Sequence, residues 1–528
     1  MRDFQLPGRS TSYASTAMAA TSHPLSTLTA VDVLRAGGNA ADAAVAACAV
    51  QCVVEPQSTG IGGDCWVLHA PAAGGVTSLN ASGWAPAALA ADRLRGEGLD
   101  AMPGFGASTV TVPGAVRGWQ ALLERHGSKG LDELLRPAIG YAKQGFPVLP
   151  RVAFDWARGA GRLEHSPAGR DFYLPGGKAP VAGDTLRLEQ LGATLETIAR
   201  RGADAFYEGE LAATMVANLQ GFGGLHEAAD FAELQPEWAE PISTSYRGHT
   251  VYECPPNGQG VITLLLLNIL ERLALDGLDP NGALRLHLEA EATRLAFRDR
   301  DAVLADPRQA DVPTERLLDK GYAAALAARI DPEAAMPALP PPLLPEHKDT
   351  INLTVVDRDG NACSFINSLY DSFGSGLVCP ATGVVFHCRG RAFSLAPGHL
   401  NELAPRKRPM HTIIPGLAFK DDAFWMTFGV MGGNYQPVGQ AHLLTNMIDF
   451  GMDPQAAIDA PRAMAYPGPL VVERGVPEAA VRRLAELGHQ PVEAESPLGG
   501  GQAIMVDRAR GVLIGGSDPR KDGLALGY

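Results

Sequence analysis

Thr350 stands where the chain changes character. Residues 337–349, "PALPPPLLPEHKD", hold prolines at 337, 340, 341, 342 and 345, which exclude helix and central strand. "TINLTVVD" then alternates at once, with Ile351, Leu353 and Val355 to one side and Thr350, Asn352 and Thr354 to the other. A threonine hydroxyl alone is a poor nucleophile. Breaking the Asp349–Thr350 bond would give Thr350 a free α-amine, which titrates near ~7.7–8.0 and can take the hydroxyl proton. One residue would then be both nucleophile and general base. The same hydroxyl can make the cut, by attacking the Asp349 carbonyl and forming an ester that water opens. The loose segment before it would let the new terminus stay while the old one swings away.

Acyl transfer also needs donors for a developing oxyanion. "TFGVMGGNYQP" at 427–437 offers Gly432 and Gly433 after a strand-like run, where two backbone N–H groups can face one point. Other motifs carry less. "GIGGD" at 60–64 follows an alanine-rich helix and lacks the G-x-G-x-x-G spacing of a dinucleotide loop. His287 and Glu291 lie four apart on one helix face, but the sequence shows no third metal ligand, so a solvated face is expected. There is no G-x-S-x-G elbow and no Walker loop. No metal and no cofactor are expected.

Regular elements must hold these residues. "SHPLSTLTAVDVLRAGGNAADAAVAACAVQCVV" predicts two helices, the first stopped by Gly37-Gly38 and the second capped by Asn39. "PPNGQGVITLLLLNILERLAL" and "LRLHLEAEATRLAFRDRDAVL" predict two more, the latter with a mixed charged face. "DRDGN" at 357–361 predicts a hairpin turn, and "ACSFINS" the returning strand. Residues 331–349 are the one convincing linker. At 528 residues and 46% apolar content the chain can bury a substantial core. A net charge of −14 without a basic run argues against nucleic acid or an anionic membrane as partner. The first 26 residues lack the apolar core of a secretory signal, and 261–270 is too short to span a bilayer. Seven scattered cysteines without a C-x-x-C pair argue against disulfides and for a reducing cytoplasm.

The pieces "GGNAADAAVAA", "STGIGGDCWVL", "TVPGAVRGW", "PPNGQGVITLLLLNILE", "DTINLTVVDRDGNACSF", "SFGSGLVCPATGVV", "FGVMGGNYQP" and "GGSDPRKDGLALGY" occur in order along the chain. Over nearly its whole length the sequence resembles the γ-glutamyltransferase family of N-terminal-nucleophile hydrolases. The resemblance implies a proenzyme cut between Asp349 and Thr350. Its large chain, 1–349, and small chain, 350–528, would stay together as one intertwined αββα four-layer sandwich, with a homo-oligomer of that pair allowed. By position Thr350 matches the nucleophile, Ser368 a hydroxyl residue bonded to it, and Gly432 and Gly433 the oxyanion-hole pair.

The chain departs from the glutamyl enzymes in their substrate pocket. Ser82 stands where they hold an arginine for the α-carboxylate, and Ala392 in "FHCRGRAFSL" where they hold an acid for the α-ammonium. Arg389 and Arg391 lie nearby, Tyr370 replaces an asparagine, and His411-Thr412 replaces a Ser-Ser pair. Guanidinium groups repel an ammonium and offer a planar fork to a carboxylate. The expected substrate is therefore a small anionic amide without an amine, bound by Arg389, Arg391, Tyr370, His411 and Thr412. A branch of the family with a similar "RGRAFSL" pattern includes amidohydrolases acting on oxamate. A γ-glutamyltransferase or glutathione hydrolase, a glutaryl-type acylase, an oxalyl-removing hydrolase and a catalytically silent binding protein are the alternatives.

Overall fold

The computed structural model describes residues 8–336, 350–466 and 468–528. Asp349 and most of the expected linker fall outside them. Two seven-stranded antiparallel sheets face each other. The first runs Leu524–Gly527, Met18–Thr21, Ile351–Val356, Ala362–Ser368, Asp64–Ala70, Thr77–Ala81, Glu237–Ala239. The second runs Ser12–Ala14, Val512–Ser517, Gly500–Asp507, Ala423–Met431, Gly416–Lys420, His249–Glu253, Ile242–Tyr246. Strands from before and after residues 337–349 thus share both sheets.

The alternation read from the sequence sorts the two faces of the central hairpin. Ile351, Leu353, Val355, Cys363 and Phe365 join the apolar cluster of helix Ala40–Val54, which is buried along its whole length. Its alanines let the helix close on the sheet. Asn39 caps it as expected, reciprocally with Asp42. Helices Gly260–Leu270 and Gln436–Ile448 cover the second sheet, completing the αββα sandwich.

The other face of the hairpin meets the second sheet through polar contacts. Ser364 Oγ donates to the Phe428 carbonyl at 2.8 Å, and Thr427 Oγ1 to the Cys363 carbonyl at 3.2 Å. Gly429 leaves room for Asn352: a Cβ there would lie 2.1 Å from the Asn352 amide nitrogen. The turn at 357–361 forms as expected. Asp357 Oδ1 accepts from the N–H groups of Asp359 (3.0 Å) and Asn361 (2.9 Å), and Gly360 takes a φ of +86°.

One expectation needs correction. Helix Ala283–Val303 does not show its charges to solvent: Arg285, His287, Glu289, Glu291, Asp299, Arg300 and Asp301 are all buried. Mutual pairing makes this possible, Arg285 with Glu289 and Arg300 with Asp301. The expected linker starts exposed over 331–334, and hydrogen bonds tie its next two residues. Ala335 N–H donates to the Leu487 carbonyl at 2.7 Å, and Met336 N–H to Glu291 Oε2 at 2.7 Å. Among the described residues, no helix is long and apolar enough to cross a membrane.

Candidate active site

Sheet register builds the centre of the site. Ile351 pairs with Asn367 and Asn352 with Ile366, so one step back sets Thr350 opposite Ser368. On the next strand Asp64 is the partner of Ser368. Three neighbouring strand ends therefore carry a threonine, a serine and an aspartate in a row. Thr350 is 1% exposed, and its hydroxyl lies 3.1 Å from the Ser368 hydroxyl. Ser368 Oγ also accepts the Tyr370 N–H at 2.9 Å. Tyr370 turns the chain off the strand with a φ of +80°, a conformation uncommon for a bulky side chain.

Asp64 organises the polar side of this row. Its Oδ1 accepts the Gly83 N–H at 3.0 Å. Its Oδ2 accepts His411 Nε2–H at 3.1 Å, with His387 Nδ1 at 3.3 Å and Arg389 Nε at 3.7 Å. Burial would raise the Asp64 carboxyl, but His387 and His411 outweigh it and hold the group far below the usual carboxylate range. Burial, aided by Arg389, drives His411 down to about 3, so its ring is neutral and serves Asp64 as a donor. Its Nε2 is spent on Asp64.

Arg389 belongs to the turn Arg389–Ala392 and is fully buried. Its Nη1 donates to Thr412 Oγ1 at 2.8 Å, and its guanidinium carbon lies 4.4 Å from the Tyr370 ring centroid. Its Nη2 has no partner among the described residues. A buried cation with an unused donor favours an anionic ligand. Arg391 is engaged differently, in a close ion pair with Asp371, which also accepts Arg162 Nη2 at 3.0 Å. Arg162, Asp371 and Gly432 line a cavity of about 320 Å³ together with Arg151, Arg158 and Lys521.

Gly432 and Gly433 follow strand Ala423–Met431 with φ of +121° and +58°. A Cβ on Gly432 would sit 2.7 Å from Gly499 Cα, so backbone passes close to backbone there. Both loop carbonyls are tied. The Gly432 carbonyl accepts the Tyr435 N–H at 3.0 Å, and the Gly433 carbonyl accepts Gln259 Nε2 at 2.9 Å. Gln259 Nε2 also donates to the Thr412 carbonyl at 2.8 Å. Arg300 Nη1 steadies this amide, donating to Gln259 Oε1 (3.0 Å) and to Asn434 Oδ1 (2.9 Å). In a trans peptide the N–H opposes its carbonyl, so tying the Gly432 carbonyl fixes where the Gly433 N–H points.

Sequence reasoning missed Asp64, Asp371, Gln259 and Arg300. Asp64 ends the "GIGGD" stretch, whose glycines serve close packing: a Cβ on Gly62 or Gly63 would lie 2.2 Å from the Val385 carbonyl oxygen or 2.3 Å from that of Ser368. The sequence reading sets a dinucleotide loop aside there and gives the aspartate no role. Arg300 was hidden in the face taken for a solvated one.

The family model described as gamma-glutamyltranspeptidase matches residues 26–528. The chain belongs to the gamma-glutamyltranspeptidase family. Among relatives in this family, the glutathione hydrolase-like YwrD proenzyme of Bacillus subtilis is 40% identical, the match covering 97% of this chain and 98% of that protein. The oxamate amidohydrolase proenzyme of Klebsiella pneumoniae is 37% identical over 97% and 98%. The crystal structure of a cephalosporin acylase from Bacillus halodurans superposes with a TM-score of 0.93 at 38% identity, covering 100% of this chain and 99% of that one. Ala392 lies in an apolar cluster with Tyr370 and Cys388, and the Ser82 hydroxyl donates to Asn80 Oδ1 at 2.6 Å.

Proposed function

We propose that this family member is a self-processing N-terminal threonine amidohydrolase for small anionic amides, with oxamate the first substrate to test. The observation that carries the reading is the buried Thr350–Ser368 hydroxyl pair, set beside a buried guanidinium with an unused donor. Attack of the Thr350 hydroxyl on the Asp349 carbonyl, followed by hydrolysis of the ester, frees the α-amine and yields chains 1–349 and 350–528. In turnover the amine takes the hydroxyl proton as Thr350 Oγ1 attacks the substrate carbonyl. The Gly432 and Gly433 N–H groups receive the oxyanion. Collapse expels the amine leaving group, which carries off the proton, and water then opens the acyl-threonine ester. Arg389 holds the substrate carboxylate, with Tyr370 stacked beneath it and Thr412 fixing its fork. Arg391, His411 and Asp64 keep that assembly in place.

A second reading has its own support. A cavity of about 320 Å³ beside Gly432 is more than oxamate fills and falls within the roughly 300–1,000 Å³ of pockets for larger ligands. Its lining sets Arg151, Arg158, Arg162 and Lys521 against Asp155 and Asp371, an excess of cations that suits an acylase taking a longer anionic acyl group or a bulkier amine. A cytoplasmic setting is part of the same proposal.

The test is sequencing of the mature protein from its N-termini, together with ammonia release from oxamate and amine release from glutaryl amides. A fragment beginning at Thr350 and turnover of an anionic amide are expected. A single uncut chain, or faster turnover of γ-glutamyl-p-nitroanilide than of either anionic class, would overturn the proposal.

A further inference from the structure

His287, Glu291 and His489 bring their ligating atoms within 4.8 Å of one another. The first two lie one turn apart on helix Ala283–Val303; His489 comes from the segment after helix Glu478–Glu486. The third ligand that sequence spacing lacked is thus supplied by the fold, from residues far along the chain.

The surroundings suit a metal. His287 Nε2–H donates to the Asp331 carbonyl at 2.8 Å, which fixes the tautomer and leaves Nδ1 with its lone pair. That Nδ1 faces His489 Nε2 at 2.7 Å. Two nitrogens on one tetrahedral zinc ion lie about 3.3 Å apart, so the rings need only a small opening. Glu291 brings the compensating charge. Its Oε1 accepts Arg294 Nη1 at 2.9 Å and its Oε2 the Met336 N–H at 2.7 Å. Arg294 Nη1 also donates to the Met336 carbonyl at 2.8 Å, and each Glu291 carboxylate oxygen keeps a second lone pair for an ion.

We propose that His287, Glu291 and His489 bind one divalent transition-metal ion of the zinc class. Two imidazoles and a carboxylate leave a fourth position for water. None of the three belongs to the Thr350 constellation, so the ion takes no part in the chemistry there. It fastens helix Ala283–Val303 and the segment 331–336 to the C-terminal part of the protein. That the ion clamps two separate chains rests on the proposed cleavage; its binding does not.

The test is zinc chloride titrated into full-length protein stripped with EDTA, followed by calorimetry, bound-metal analysis after gel filtration and melting temperature. One ion per Thr350 equivalent, a raised melting temperature and the visible absorption of tetrahedral cobalt(II) on substitution are expected. His489→Ala, on a partly exposed loop, should bind at least ~10-fold more weakly while keeping amide turnover. Uptake by an uncut Thr350→Ala chain supports the site independently of cleavage. Absent uptake in the wild type, or equal uptake by His489→Ala (an adventitious ion only), overturns it.

Discussion

The Thr350 hydroxyl lies 3.1 Å from the Ser368 hydroxyl because their strands pair in a register that sets the two residues opposite each other. The turn held by Asp357 sets that register. A slip of one residue would send Thr350 to the helix-covered face, since side chains alternate with period two.

Replacing the nucleophile separates fold from chemistry. Thr350→Ala is expected to give a folded, single uncut chain without hydrolysis, whereas Thr350→Ser keeps both a hydroxyl and an α-amine and is expected to be cut and active. Intact mass and a denaturing gel read the outcome; cleavage of the alanine variant would refute the assignment.

Ser368→Ala removes one hydrogen bond to Thr350 and one acceptor of the Tyr370 N–H. It should slow both maturation and kcat by about tenfold, the worth of one hydrogen bond. Unchanged rates would show the serine to be a bystander.

Gln259→Met keeps the side-chain volume but frees the Gly433 carbonyl. If that tie steadies the loop that carries the Gly432 and Gly433 donors, kcat should fall by ~10²-fold with KM little changed. A KM effect alone would place Gln259 in substrate binding instead.

Arg389→Met should raise KM for an anionic amide by ~10–100-fold, as expected for a lost charge-assisted bond. A neutral analogue should be affected far less. Equal losses on both would remove the carboxylate role and leave a structural one.

Burial pushes the Glu55 carboxyl from its ordinary 4.5 up to about 7, against hydrogen bonds from Ser22 and Gln51. Below pH 4.5 it is neutral in folded and unfolded chains alike. As pH rises from 4.5 towards about 7 only the unfolded chain ionises, so stability is lost across that window, on the order of 3 kcal/mol in all. Glu55→Gln should therefore gain thermal stability relative to wild type as pH rises through the window. A constant gap in melting temperature between the two proteins would refute the shift.

Much of the local structure was legible in the sequence. Asn39 before an alanine-rich run, the alternation from Thr350 and the turn at 357–361 each encode their conformation in neighbouring residues, and each forms as expected. The positive-φ loop at Gly432 and Gly433 could likewise be read, because those backbone conformations favour glycine. Charge was harder to read. The face with His287 and Glu291 is expected to be solvated, yet both are buried, as are Arg285 and Arg300 on the same helix, against partners that the helix itself and distant segments provide.

By itself the sequence determined which residue heads the strand, where its hairpin turns and which glycines shape the nearby loop, since these depend on residues a few positions apart. Only the tertiary structure decided that Asp64 stands across from Ser368, that Gln259 ties the Gly433 carbonyl and that His489 completes a cluster with His287 and Glu291. Those pairings join segments hundreds of residues apart, and nothing local specifies them. They follow from sheet register and from the need to satisfy each polar group that burial takes out of water.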